Sequence, residues 1–186
     1  MEVKIYLSPA DHDYTNICSY DSTCSENKHC NEYMDILQNY LMNCGFQIKR
    51  RPRVNGGKPE YNLRIAEANA WPADLYYVCH TNGSDGTHRG STSYVNPNDV
   101  TAIKWAGKIL EWRKKIYTAG TMGVYTSTEL LEINATNMPC VYEELLFHDN
   151  IDDATFLHTH MALLAEYTAR ALCEIFQIPF KQLQKI

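Results

Sequence analysis

The chain has 186 residues, with 17 Lys plus Arg against 22 Asp plus Glu, so its formal net charge is −5. A chain of this length is expected to form a single domain over residues 1–186 around one ordinary hydrophobic core. The mildly acidic composition lacks the clustered positive charge that binding to nucleic acid requires. No apolar run approaches the roughly 20 residues of a membrane span. We therefore predict no nucleic-acid partner and no membrane span.

The N-terminal sequence and the number of cysteines indicate the compartment in which the chain is synthesised. Residues 1–7 enter a strand-like alternation at once, without the basic segment and the apolar stretch of a signal peptide. Seven cysteines are an odd number, and without a secretion signal they indicate reduced thiols rather than a disulfide framework. Synthesis in the cytoplasm without a signal peptide is the expectation.

The first quarter of the chain has the pattern of a strand, a helix and a second strand. Residues 3–8 alternate as in a strand, and Ser25-Glu26 begins a long helical pattern. Gly45 suits the left-handed turn at the end of that helix, and Phe46 begins the second strand. This β-α-β order predicts an α/β fold with a single twisted, mostly parallel sheet flanked by helices.

The remaining sequence continues to alternate between helical patterns and short apolar runs of buried-strand length. Loops are predicted where glycines and polar residues cluster, and two of them, 83–90 and 120–137, are either rims of a groove or ordinary surface loops. The expected elements are a loop at 51–59, a helix at 61–70, a strand at 75–79, a helix at 100–117, a strand at 139–145 and a helix at 154–176.

Polar residues with catalytic potential lie at the ends of these predicted elements. His12 follows the first strand, His80 follows the strand at 75–79, and Glu144 lies near the end of the strand at 139–145. Glu26 lies in the first turn of the long helix. Because ligands of open α/β sheets gather at the carboxyl ends of strands, these side chains are expected at one edge of the sheet.

Two imidazoles and a carboxylate form the kind of ligand set that catalytic zinc prefers. On this interpretation His12, Glu26 and His80 bind Zn²⁺, which activates water, and Glu144 removes the proton of the attacking water and passes it to the leaving amine. The interval of 14 residues from His12 to Glu26 and that of 54 residues from Glu26 to His80 are not a metal motif in themselves. The alternative is that the histidines are packed or solvent-facing and that Glu26 stabilises the helix dipole.

Short motifs along nearly the whole chain carry a family resemblance. In chain order they are Lys4 to Pro9, Ser25-Glu26, Cys30-Asn31, Gly45-Phe46, Arg64 to Leu75, His80-Thr81-Asn82, Pro139 to Glu144 and Phe147 to Asn150. With this ordered set the sequence resembles the zinc-dependent N-acetylmuramoyl-L-alanine amidases of the amidase-3 type. The short forms from clostridia-like bacteria and their phages are especially similar.

The resemblance implies an enzyme that hydrolyses the amide between the lactyl group of N-acetylmuramic acid and L-alanine, with a peptidoglycan muropeptide as substrate. It makes Glu26 and His80 zinc ligands and Glu144, rather than Glu143, the catalytic carboxylate. It also implies a catalytic domain without a separate wall-binding domain, acting at the bacterial cell wall after release or delivery. A non-catalytic module that keeps the fold and binds wall peptide is the alternative function.

The first ligand departs from the family pattern. Many members have Gly-His-Gly where this chain has Pro9-Ala10-Asp11-His12-Asp13, so the matching residue is either Asp11 or His12. We favour His12, because a neutral imidazole suits Zn²⁺ better than a third oxygen ligand.

A second group of possible metal ligands comprises Cys18, Cys24, His29 and Cys30. The group lacks the CxxC spacing of a zinc knuckle, so the favoured interpretation is that either His29 or Cys30 lies beside Glu26 on one helix face and assists it. The remaining candidates, His148, His158 and His160, are assigned to positions outside the site.

Overall fold

The computed structural model describes residues 2–11, 16–51 and 60–184. Six strands are present in these ranges: β1 Lys4–Pro9, β2 Gln47–Lys49, β3 Leu75–Asn82, β4 Gly90–Val95, β5 Thr121–Thr126 and β6 Cys140–Phe147. Five helices accompany them: α1 Glu26–Cys44, α2 Tyr61–Ala70, α3 Val100–Arg113, α4 Leu131–Ala135 and α5 Ile151–Ile175. No helix in the described part of the chain is both long and apolar enough to cross a membrane.

The strands form one sheet in the order β2-β1-β3-β6-β4-β5. β1 is parallel to β2 and β3, β3 is parallel to β6, and β4 is parallel to β5. β4 and β6 are antiparallel. The sheet is therefore mixed but mostly parallel and carries helices on its faces, which confirms the predicted fold class.

The two faces of the sheet bury different clusters, because successive strand residues point to opposite sides. One face packs Leu7, Tyr77 and Val141 in a large core with residues of α1, α3 and α5. The other face packs Tyr76 and Tyr142, together with other side chains, against α2 and α4 in a smaller core. The cluster to which its strand neighbours belong therefore shows which face of the sheet a side chain is on.

Some element boundaries differ from the sequence expectation. β3 continues to Asn82, so His80 lies within this strand rather than after it. α3 ends at Arg113 instead of continuing to residue 117. α5 begins at Ile151, because the side chain of Asn150 accepts the backbone N–H groups of two first-turn residues. Parts of the predicted loops at 83–90 and 120–137 belong instead to β4, β5 and α4.

Candidate active site

The register of β3 and β6 brings two of the predicted site residues side by side. His80 of β3 is the direct partner of Glu144 of β6 across the parallel pair. The His80 ring also stacks on Tyr142, with ring centroids 4.7 Å apart and planes 16° apart. Since Tyr142 belongs to the core beneath α2 and α4, His80 and Glu144 emerge on that side of the sheet.

Glu26 reaches the same place from the start of α1. Ser25 caps this helix by accepting the Lys28 N–H at 3.2 Å, which fixes Glu26 in the first turn. Glu26 Oε1 lies 2.9 Å from His80 Nδ1 and accepts the backbone N–H of Thr81 at 3.2 Å. Both side chains are almost fully buried, with exposed fractions of 2% for Glu26 and 5% for His80. The structure thus joins two predicted ligands that are far apart in the sequence.

Asn16 was not among the residues predicted for the site. Its side-chain amide donates to Glu26 Oε2, and its carbonyl oxygen accepts the Glu26 backbone N–H at 2.9 Å. The segment before α1 therefore holds Glu26 at both its main chain and its side chain. An asparagine in a loop carries no pattern that would have revealed this role.

The carboxyl group of Glu144 lies in an environment that disfavours its negative charge. The residue is half-buried, but its Oε2 atom is buried and has no hydrogen-bond partner among the residues that the structure describes. Burial raises the pKa of Glu144 to about 8, and the negative charges of Glu26 and Glu143 add to this effect. A carboxyl with such a raised pKa beside a histidine is a candidate for proton transfer.

Glu143 points to the opposite face of the sheet and is fully buried. Its two carboxylate oxygens accept hydrogen bonds from Ser93 and from the guanidinium of Arg113. Arg113 is also buried and donates to the hydroxyls of Ser91 at 2.7 Å and Thr168 at 3.2 Å. A buried carboxylate needs a partner for its charge, and Arg113 supplies it.

Of the two candidates for the first ligand, the structure describes Asp11 but not His12. Asp11 Oδ2 lies 3.0 Å from Nη2 of the buried Arg64, and the same guanidinium donates to the Pro9 carbonyl at 2.6 Å. Asp11 thus belongs to an ion pair that anchors the end of β1. His12 lies outside the described residues, so its assignment as a ligand stays a prediction.

Comparisons with known proteins agree with the fold and the grouping of side chains described above. The sequence profile of the amidase-3 family, described as N-acetylmuramoyl-L-alanine amidase, matches residues 11–174. The chain belongs to the amidase-3 family. Members of this family are generally zinc-dependent. The comparison with curated proteins gives no match.

Solved structures similar to this amidase-3 chain share its fold at low sequence identity. The catalytic domain of CwlV, an N-acetylmuramoyl-L-alanine amidase from Bacillus (Paenibacillus) polymyxa, has 15% identity and a TM-score of 0.83, covering 96% of this chain and 100% of its own. An N-acetylmuramoyl-L-alanine amidase from Clostridium difficile 630 has 14% identity and a TM-score of 0.84, covering 95% and 97%. The catalytic domain of the CD27L endolysin, which targets Clostridium difficile, has 17% identity and a TM-score of 0.75, covering 94% and 97%.

The second group of possible metal ligands in this amidase-3 chain comes together only in part. Ligand atoms of Cys18, Cys24 and His29 lie within 4.8 Å of one another. Cys30 instead lies against Cys79. His158, which was predicted to lie outside the catalytic site, places Nδ1 3.5 Å from Cys24 Sγ. No sequence signal links these two residues, because they are separated by 134 positions.

Proposed function

We propose that this chain is a zinc-dependent N-acetylmuramoyl-L-alanine amidase that hydrolyses the amide between the lactyl group of N-acetylmuramic acid and L-alanine in peptidoglycan. Family membership supports a peptidoglycan hydrolase of the amidase class. One observation carries the finer proposal. The buried Glu26–His80 pair lies next to Glu144, whose buried Oε2 has no hydrogen-bond partner among the described residues.

The residues at this edge of the sheet fit a zinc ion. A carboxylate oxygen and an imidazole nitrogen are ligand types that zinc prefers, and those of Glu26 and His80 are close enough to reach one ion. Glu26 and His80 would hold the ion, with His12 expected as the third ligand. Bound zinc would lower the pKa of water to about 7 and polarise the scissile carbonyl.

Glu144 is the group that we assign to proton transfer. Its carboxylate would take a proton from the attacking water, and the resulting carboxylic acid would give that proton to the leaving amine of L-alanine. Burial favours the protonated form of Glu144, since it raises the pKa of this carboxyl to about 8. The second half of the reaction, protonation of the amine, therefore benefits directly from the position of Glu144.

Neighbouring groups would fix the orientation of the two ligands. The Thr81 N–H and the Asn16 amide each donate to one oxygen of Glu26, which leaves its carboxylate little freedom to rotate. Tyr142 stacks on His80 and restricts the plane of its ring. Such supporting contacts raise ligand order and metal affinity in metal sites generally.

A non-catalytic module for wall peptide is the competing function. This alternative gives no reason to keep Glu26, His80 and Glu144 together in a largely buried group, because a half-compensated buried carboxyl destabilises a fold. The enzyme would act at the bacterial cell wall, reached from the cytoplasm by release or delivery, as in the clostridial and phage forms that the sequence resembles.

Digestion of purified peptidoglycan tests the proposed bond specificity. The zinc-loaded protein should release free L-alanine amino termini without creating new reducing sugar ends. The Glu144→Gln protein, carrying the same zinc, serves as the control and should release about 10² to 10⁴-fold fewer termini per unit time. New reducing ends would identify a glycosidase, and wall binding without any cleavage would favour the non-catalytic module.

A further inference from the structure

A second cluster of metal-ligating side chains lies at the turn before α1. The turn closes on itself, because Cys18 donates its backbone N–H to the Cys24 carbonyl at 3.2 Å and Ile17 pairs with Ser25. This closure brings both sulfur atoms next to the His29 ring, within 4.8 Å of one another and of a ring nitrogen. The exposed fractions are 3% for Cys18, 1% for Cys24 and 0% for His29.

His29 is the unusual member of this cluster. Neither of its ring nitrogens has a hydrogen-bond partner among the described residues, although the side chain is fully buried. A buried polar atom without a partner costs about 1–3 kcal/mol, so two on one ring require an explanation. Burial also lowers the pKa of His29 to about 4, so the imidazole is neutral at physiological pH. Neutral imidazole is the form that binds metal ions.

A fourth donor approaches from the solvent side. His158 of α5 lies with Nδ1 3.5 Å from Cys24 Sγ, and its ring centroid is 6.0 Å from that of His29. Tyr20, within the same turn, stacks on the His158 ring at a centroid distance of 4.0 Å. The exposed histidine is therefore held beside Cys24 rather than left free in solvent.

We propose that Cys18, Cys24, His29 and His158 bind one Zn²⁺ ion in a structural site that is distinct from the pair Glu26 and His80. Two sulfurs and two imidazole nitrogens form the closed tetrahedral set of structural zinc. Each thiol releases one proton on binding, so two thiolates balance the charge of Zn²⁺ and the complex is neutral. A neutral complex suits a buried site, since no net charge is removed from water.

A disulfide between Cys18 and Cys24 explains less of the structure. It would use both sulfur atoms but would leave the two ring nitrogens of His29 without partners. It would also give no role to the contact between His158 and Cys24. A metal ion would bind both sulfur atoms and one nitrogen of each imidazole, so each of the four side chains gains a partner, which is why we favour it over oxidation of the thiols.

The ion would tie the turn before α1 to α1 itself and to α5. Asn16 immediately precedes this turn and holds Glu26 through two hydrogen bonds. Zinc at the cysteines would therefore stabilise the segment that positions Glu26, while lying outside the catalytic group. This inference does not depend on the proposed function, since the ion would stabilise the turn whatever reaction the chain catalyses.

Cobalt substitution of the full-length reduced protein tests the site. Co²⁺ bound by two thiolates gives an intense thiolate-to-cobalt charge-transfer band in the near ultraviolet, which a site made only of Glu26 and histidines cannot give. We expect this band in the parent protein and, undiminished, in the His80→Ala protein. It should disappear in Cys24→Ser and persist in Cys140→Ser, a matched control at a buried cysteine outside the cluster.

His158→Ala keeps the test decisive if Cys24→Ser does not fold, because His158 is exposed and its replacement leaves the core intact. Loss of this ligand should weaken cobalt and zinc affinity at the thiolate site by at least about tenfold. The proposal would be overturned by the absence of a thiolate band in the reduced parent protein, by an unchanged band in folded Cys24→Ser, or by unchanged metal affinity in His158→Ala.

Discussion

Glu143 and Glu144 are neighbours on β6, yet the two faces of the sheet give them opposite environments. Glu143 lies among α1, α3 and α5 and is bound by Arg113 and Ser93. Glu144 lies beside His80, and its Oε2 has no hydrogen-bond partner among the described residues. The same residue type, at two adjacent positions, thus serves stability on one face of the sheet and is available for chemistry on the other.

The energetic consequences of the two environments differ in kind. Removing one member of a buried ion pair leaves the other charge uncompensated and costs about 3–5 kcal/mol of stability. Glu144 has no ion-pair partner among the described residues, and burial instead favours its protonated form. Substitution should therefore damage folding at Glu143 and activity at Glu144.

Glu144→Gln should produce the largest effect. The change keeps the size of the side chain and its ability to hydrogen-bond but removes the group that accepts and returns the proton. Turnover on muropeptides should fall by about 10² to 10⁴-fold while the thermal midpoint does not drop below the parent value. Steady-state kinetics and thermal denaturation of the same preparation check this. Parent-like turnover would remove Glu144 from the mechanism.

Glu143→Gln should mainly reduce stability. Gln can still bond to Ser93, but it leaves the charge of Arg113 uncompensated in the core, so we expect a loss of about 3–5 kcal/mol in the free energy of unfolding. Turnover of the fraction that remains folded should change much less than in Glu144→Gln. Urea denaturation measures the stability loss. A stability equal to that of the parent would show that the ion pair contributes nothing.

An effect that is smaller per pH unit is expected in the pH dependence of stability of the metal-free protein. The pKa of Glu144 is about 8 in the folded chain and near its ordinary value of about 4.5 when unfolded, so the folded state holds the extra proton between these limits. The part of the free energy of unfolding that depends on the Glu144 proton should be fully present below about pH 4.5. It should decrease as the pH rises further and be lost once the pH passes 8.

This contribution should not exceed about 1.4 kcal/mol per pH unit, the limit for one proton. It should be absent from Glu144→Gln, so the difference between the parent and this variant, both treated with chelator, isolates it. Urea denaturation at a series of pH values gives the slopes. Identical slopes in the two proteins would contradict the raised pKa of Glu144.

Much of the fold could be predicted from the sequence because apolar runs and helical patterns alternate along the chain. The exceptions have a physical reason. β4 begins Gly90-Ser91-Thr92-Ser93, a small and polar run that is typical of a loop. In the structure it is buried, because Ser93 donates to Glu143 and Ser91 donates to the Glu144 carbonyl. These hydroxyls reach their acceptors on β6 only once β4 and β6 are paired.

The candidate site could be predicted in part for a similar reason. The strand positions and the family resemblance indicated Glu26, His80 and Glu144, and the structure brings these three together. Arg113 could not be assigned as the partner of Glu143, since the contact depends on how α3 packs against the sheet. The approach of His158 to the cysteine turn depends in the same way on the packing of α5.

The zinc content and activity of His80→Ala test the zinc site directly, because His80 pairs with Glu26 as a ligand and with Glu144 across the strands. We predict that this protein binds one equivalent of zinc fewer than the parent and loses muropeptide cleavage, while it remains folded and keeps the thiolate band with cobalt. A folded His80→Ala protein with the zinc content and turnover of the parent would contradict the site as assigned.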